Sequence, residues 1–264
     1  MVIKEQTERV RVLRLANPPA NVLNMTLLRT LRGEVLQAGT DPGVDCLVLA
    51  SAYPRYFSTG LDLEELLSLG RERQPELFEA LFGVYHGLLA CPKPTVAALG
   101  GSAILGGWIL AMGCDFRLLS EGTGKIALSE IRIGLSPGTE LISRLKEISS
   151  SPNLVKEMVL RGRTLRADQA LAGGFVDRLV PQENLEEEAL KEARQLAKLA
   201  PRAYAAVKRG LSRRAPGEQD ALRRESLEEF QTLLAGPEAQ EGIAAMREKR
   251  RPRFVGAAEA GESA

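Results

Sequence analysis

Phe57-Ser-Thr-Gly-Leu-Asp62 and Gly100-Gly-Ser-Ala-Ile-Leu-Gly-Gly107 decide how this chain is read. A short, wholly apolar run precedes each: Cys46-Leu-Val-Leu-Ala50 and Thr95-Val-Ala-Ala-Leu99. Such runs fit parallel strands buried on both faces. In the first segment a glycine permits a tight turn, and Asp62 sits where a helix starts. The N–H of Leu61 is then free to point at a ligand, and its side chain is irrelevant to that task. In the second segment Gly106 opens an apolar helix. Its N–H and the positive end of that helix favour a developing negative oxygen. Two N–H groups aimed at one point form an oxyanion hole, which implies chemistry on a carbonyl. The first segment alone is equally an ordinary strand-to-helix turn. A dinucleotide loop fits poorly, because the spacing is not G-x-G-x-x-G and no acidic residue follows about 20 residues on.

Outward from these segments the strand–helix alternation continues. Residues 9–15, RVRVLRL, alternate charged and apolar, as a half-buried strand does. Asn17-Pro-Pro19 stops that strand. Thr26 is placed to N-cap a helix with Leu27, Leu28, Leu31 and Val35 on one face. A helix is expected near 63–69 and another over 75–90, ended by Cys91-Pro-Lys-Pro94. After the helix from Gly106 to Gly113 come short strands at 116–119 and 125–128, then helices at 137–148 and 152–160. From Ala167 onward the pattern is almost wholly helical, with strong helix formers across 184–200 and 218–247. The whole reads as an α/β fold with an α-helical C-terminal part.

Composition narrows the function classes. Apolar residues are 44% and charged residues 26% of 264, as in ordinary globular proteins. A net charge of +1 provides no global field for nucleic acid or membrane. The basic clusters Lys208-Arg209, Arg213-Arg214 and 249–253 interleave with acidic residues and are expected to be solvated helix faces, so nucleic acid is not an expected partner. No apolar run reaches the length of a membrane span. The start, MVIKEQTERVRVLRL, has no apolar signal core, and the terminal AEAGESA matches no peroxisomal or prenylation signal. A cytoplasmic protein is expected, with Cys46, Cys91 and Cys114 as buried, reduced thiols. The single histidine, His86, argues against a His-rich metal site and against a Ser-His-Asp triad. On the 75–90 helix it suits surface or core better than catalysis.

Together and in order, these segments resemble the crotonase superfamily, the enoyl-CoA hydratase/isomerase family. Asn17-Pro-Pro-Ala-Asn-Val-Leu-Asn24 is similar to the family's N-terminal motif, and the two glycine segments to its oxyanion-hole motifs. Ser129-Glu-Ile-Arg-Ile-Gly-Leu-Ser-Pro-Gly138 and Glu241-Gly…Glu248-Lys-Arg-Arg-Pro252 resemble its later ones. The resemblance implies a crotonase-like spiral of ββα units over 1–200 and a C-terminal helical trimerisation region over 201–264. It further implies an acyl-CoA substrate, a homotrimer or dimer of trimers, and no metal or redox cofactor, coenzyme A being part of the substrate. By carry-over, Leu61 and Gly106 donate to the thioester oxygen. Ala20, Val22, Thr59, Gly60, Leu61 and Asp62 line the coenzyme A path.

This chain departs from the family pattern where the reaction is chosen. Family hydratases hold one water between two glutamates. The second matches Glu130, but the first is Ile109. One carboxylate is poorly equipped to position and activate water, yet it can move a proton between C2 and C4 of a 3-enoyl-CoA. An enoyl-CoA isomerase shifting Δ3 to Δ2 is therefore the leading expectation. Leu105, where the family has glycine, and Trp108 are expected to make the wall bulkier and drier, which raises a carboxyl pKa. Glu140 is a second candidate base, or a plain charge in the first turn of its helix. Arg132 is open to solvent, to Glu130 or to a substrate carboxylate, and Asp115 is expected to be structural. The alternatives are a hydratase using Glu130 with Glu140, a decarboxylase or hydrolase of another acyl-CoA, and a member of lost or altered activity. A non-catalytic scaffold or RNA-binding member has only the basic tail at 249–253 in its favour.

Overall fold

The computed structural model describes residues 1–212 and 217–254. Arg213-Arg214, the terminal AEAGESA and the corresponding parts of the 201–264 region lie outside the described residues.

The chain opens with an antiparallel pair, β1 (Val2–Thr7) and β2 (Val10–Leu15), followed by α1 (Met25–Thr40). A strand–strand–helix unit then recurs. Its first copy is β3 (Cys46–Ser51), β4 (Tyr56–Ser58), α2 (Leu63–Ser68) and α3 (Gln74–Ala90). The second is β5 (Thr95–Leu99), β6 (Ser102–Ile104) and α4 (Gly106–Met112). The third is β7 (Phe116–Ser120), β8 (Lys125–Ala127), a 3-10 turn at Glu130–Ile133 and α5 (Thr139–Ile148). Then come α6 (Pro152–Arg161), β9 (Leu165–Arg166), α7 (Ala167–Ala172), β10 (Arg178–Val180) and α8 (Leu185–Leu196). Three helices close the chain: α9 (Pro201–Leu211), α10 (Glu218–Ala235) and α11 (Pro237–Arg247).

The first strand of each unit joins a six-stranded sheet, β1-β2-β3-β5-β7-β10, and the second joins a four-stranded sheet, β4-β6-β8-β9. This is the ββα spiral expected from the sequence. β2, β3 and β5 are covered on both faces. Leu13, Leu47, Leu49, Ala97 and Leu99 belong to the main core, and Val12, Val48, Val96 and Ala98 pack toward α8. That double burial explains the unbroken apolar runs of β3 and β5. β2, expected to be half-buried, is buried on both faces, and its buried Arg11 donates to Gln6 Oε1 and Asp41 Oδ2.

Three expectations are corrected here. The cap of α1 is Asn24, whose side chain accepts from the Leu27 N–H at 2.8 Å, so Thr26 lies inside the helix. The region after Ala167 is not wholly helical: β10 pairs parallel with β7 and ends the large sheet. Lys208 is no solvated face. It is buried and its Nζ lies 2.8 Å from Asp115 Oδ2, which also accepts from the Thr95 N–H and the Tyr204 hydroxyl. The helix formers of 218–247 form two helices that part at Gly236-Pro237, with Pro at the first turn of α11. All three cysteines are buried and free. α10 and α11 pack back onto this chain's own α3, α5 and 3-10 turn.

Candidate active site

The Leu61 donor follows from strand geometry. The Leu23 N–H donates to Gly60 O at 2.8 Å, and the Asp62 N–H donates to Leu23 O at 3.1 Å. Successive peptide groups of an extended chain face opposite sides, so the Leu61 N–H faces away from Leu23. It has no hydrogen-bond partner among the described residues. Asp62 then caps α2, its Oδ1 accepting from the Glu65 N–H at 3.1 Å. Gly106 is the first residue of α4, and an N–H in that position has no acceptor within its own helix. It too is unpartnered among the described residues. Gly60 holds φ +98°, and a Cβ there would stand 2.9 Å from Leu105 Cβ and 3.2 Å from the Gly106 nitrogen. Glycine at position 60 thus lets the two donor loops touch.

Both donors line one cavity of about 90 Å³. Its walls are apolar: Leu66, Phe78 and Leu81 on one side, Leu105, Ile109 and Leu135 on another. Phe230 of α10 and Met246 of α11 close it. Glu130 is the one ionisable residue on this lining among the described residues. Its Oε2 is buried without a hydrogen-bond partner. Burial pushes the Glu130 carboxyl up to about 8, its own N–H pulling the other way. A carboxyl of that kind, on the same lining as two unpaired N–H groups, can exchange a proton with a carbonyl compound whose oxygen they hold.

Strain marks the same spot. Leu105 sits at φ +51°, ψ −124°, a region that suits glycine. Its N–H donates to Ala127 O at 2.8 Å, which ties the α4 entrance to β8. The first donor loop is held by Asn21, a residue not singled out from sequence. Fully buried, Asn21 donates to Ser51 Oγ at 2.8 Å and to Phe57 O at 3.0 Å, and accepts from the Asn17 N–H at 2.8 Å. Ser58 Oγ donates back to Asn21 O at 2.7 Å. A buried polar residue within an Asn-x-Pro-like loop was the available signal. Phe78 and Phe230 were also missed, because their meeting depends on where α10 lies.

The other expected residues fall as follows. Thr59 and Leu61 line the cavity. Ala20 lies beside Thr59, whose N–H donates to Ala20 O at 3.3 Å, and Ala20, Val22, Thr59 and Asp62 are all partly exposed along one edge. Glu140 is not on the cavity lining. It is buried in the first turn of α5, where its Oε1 lies 2.6 Å from His86 Nε2 and accepts from the Gln219 amide. Trp108 does not form the pocket wall: it is fully buried with its ring 6.4 Å from Phe175. Residues 105, 106 and 109 share one side of the α4 start, and 108 turns away from it. Arg132 is exposed, lies against Gly162 and is not on the cavity lining. Asp115 anchors Lys208, as a structural residue does. Among the described residues no cluster of three His, Cys, Asp or Glu could hold a metal ion. No helix among them is long and apolar enough to cross a membrane.

A ββα spiral with two unpaired N–H donors over one carboxyl defines an enzyme acting on a carbonyl compound. The family model described as Enoyl-CoA hydratase/isomerase matches residues 5–257, and the chain belongs to that family, whose enzymes act on acyl-CoA. The chain is 34% identical over 260 residues to the 2,3-dehydroadipyl-CoA hydratase of Escherichia coli K12, covering 97% of this chain and 98% of that one. It is 30% identical over 261 residues to the crotonyl-CoA hydratase of Syntrophomonas wolfei, covering 96% and 97%. The fold is similar to the crystal structure of human mitochondrial delta3-delta2-enoyl-CoA isomerase, with a TM-score of 0.87 at 24% identity over 94% of this chain and 97% of that one.

Proposed function

We propose that this protein is an enoyl-CoA isomerase that shifts a double bond from Δ3 to Δ2. The observation that carries this is Glu130 as the one ionisable residue on the cavity lining among the described residues, with Ile109 where a second carboxylate would be needed. The Leu61 and Gly106 N–H groups hold the thioester oxygen. Glu130 takes a proton from C2, and the charge spreads to that oxygen as a dienolate. The same carboxyl returns a proton to C4, leaving the 2-enoyl-CoA. Each N–H donor contributes about 3–4 kcal/mol of transition-state stabilisation. The apolar walls disfavour a held water. Coenzyme A runs along Ala20, Val22 and 59–62, and the reaction uses no metal or redox cofactor.

The 201–264 region serves as the contact surface of a homotrimer or dimer of trimers in the cytoplasm. Val207 and Leu211 on α9, exposed at 63% and 81%, support that role.

A second reading, hydration of a 2-enoyl-CoA, is supported by the names of the relatives at 30–34% identity. Offering the protein 3-butenoyl-CoA and 2-butenoyl-CoA separates the two. Conjugation of the first without hydration of the second is expected. Fast water addition to the second, with the first untouched, overturns the isomerase.

A further inference from the structure

We infer that Phe230 is the gate that sets acyl-chain length, and that the substrates carry a short, uncharged acyl chain of about four carbons. The inference rests on the acyl-CoA site described above and deepens it. Phe230 borders two separate spaces. One is the cavity of about 90 Å³ beneath the two N–H donors. The other is a cleft of about 240 Å³, lined also by Arg71, Glu72, Gln74, Pro75 and Leu234. Phe230 thus lies between a smaller space and a larger one.

That ring is held in place. Phe230 is 5% exposed and stacks on Phe78 with centroids 4.2 Å apart and planes 13° from parallel. Phe78 in turn packs on Phe82 at 4.6 Å, so the stack is anchored within α3. The space inside the gate is limited. An apolar cavity of about 150 Å³ takes benzene, so the 90 Å³ here scales to about four carbons. Apart from Glu130, the polar residues on the lining are Thr59 and Ser136, and none is cationic among the described residues. A carboxylate at the far end of the acyl chain would be stripped of water with no partner.

Saturated acyl-CoA esters, which cannot react, test the gate by calorimetry on the full chain. Butanoyl-CoA is expected to bind the wild type at least about tenfold more tightly than decanoyl-CoA. In Phe230→Ala the two spaces join. Each further buried methylene then adds roughly fourfold in affinity, and the order reverses. Phe230→Leu keeps an apolar side chain on α10 and shifts the optimum to hexanoyl- or octanoyl-CoA, so the test survives if the alanine variant does not fold. Adipyl-CoA, with its free carboxylate, binds the wild type at least about tenfold more weakly than hexanoyl-CoA. Wild type that binds decanoyl-CoA as tightly as butanoyl-CoA overturns the gate, as does an unchanged preference in Phe230→Leu. Butanoyl preference without conversion of 3-butenoyl-CoA upholds the gate and removes the isomerase instead.

Discussion

Raising the pH from 6 to 9 should switch the enzyme on through Glu130. Burial lifts its carboxyl from an ordinary 4.5 to about 8. A base works only when ionised, and the pH profile of kcat/KM reports the free enzyme. At pH 6 about 1% of Glu130 is ionised, at pH 7 about a tenth, and at pH 9 about nine-tenths. The expected kcat/KM for 3-butenoyl-CoA therefore rises about tenfold per pH unit up to pH 7 and levels off above about 8. Stability runs in the opposite direction. A carboxyl whose pKa is raised on folding stabilises the fold fully below 4.5, and that contribution is lost as pH rises through about 8. That contribution is on the order of a few kcal/mol. Urea unfolding should thus show the wild type losing stability relative to Glu130→Gln between pH 5 and 8. A rate profile flat from pH 6 to 8, or a midpoint near 4.5, would refute the assignment of Glu130 as a buried base.

Glu130→Gln should lower kcat by at least about 10³-fold, while Glu140→Gln, off the lining, should stay within about threefold, as steady-state kinetics will show. The opposite order would move the base to Glu140. Gly60→Ala places a Cβ 2.9 Å from Leu105 Cβ at φ +98° and should misplace the Leu61 donor, lowering kcat about 10²-fold in a folded protein. Leu105→Gly relieves a φ of +51° and should raise stability by about 1 kcal/mol in urea unfolding. A loss of stability there would mean that the Leu105 side chain matters more than its backbone.

What could be read from the sequence follows the physics of each element. β3 and β5 were legible because burial on both faces leaves an unbroken apolar run. The unpaired N–H groups of Leu61 and Gly106 were legible because a glycine next to a helix start signals its own backbone geometry. β6, β9 and β10 span two or three residues, too few for any period to show. Trp108 was misplaced because its direction depends on where α4 begins and which side meets the cavity. The pairing of His86 with Glu140, 54 positions apart, and of Phe78 with Phe230, exists only once α3, α5 and α10 have packed. Lys208 read as a surface charge because the Asp115 that draws it inward lies 93 positions away.

Turnover of 3-butenoyl-CoA in ¹⁸O-labelled water tests most directly whether one buried carboxyl moves a proton without adding water. The expected first product is 2-butenoyl-CoA free of ¹⁸O, formed by the wild type and not by Glu130→Gln. A 3-hydroxybutanoyl-CoA carrying ¹⁸O as the first product would contradict it.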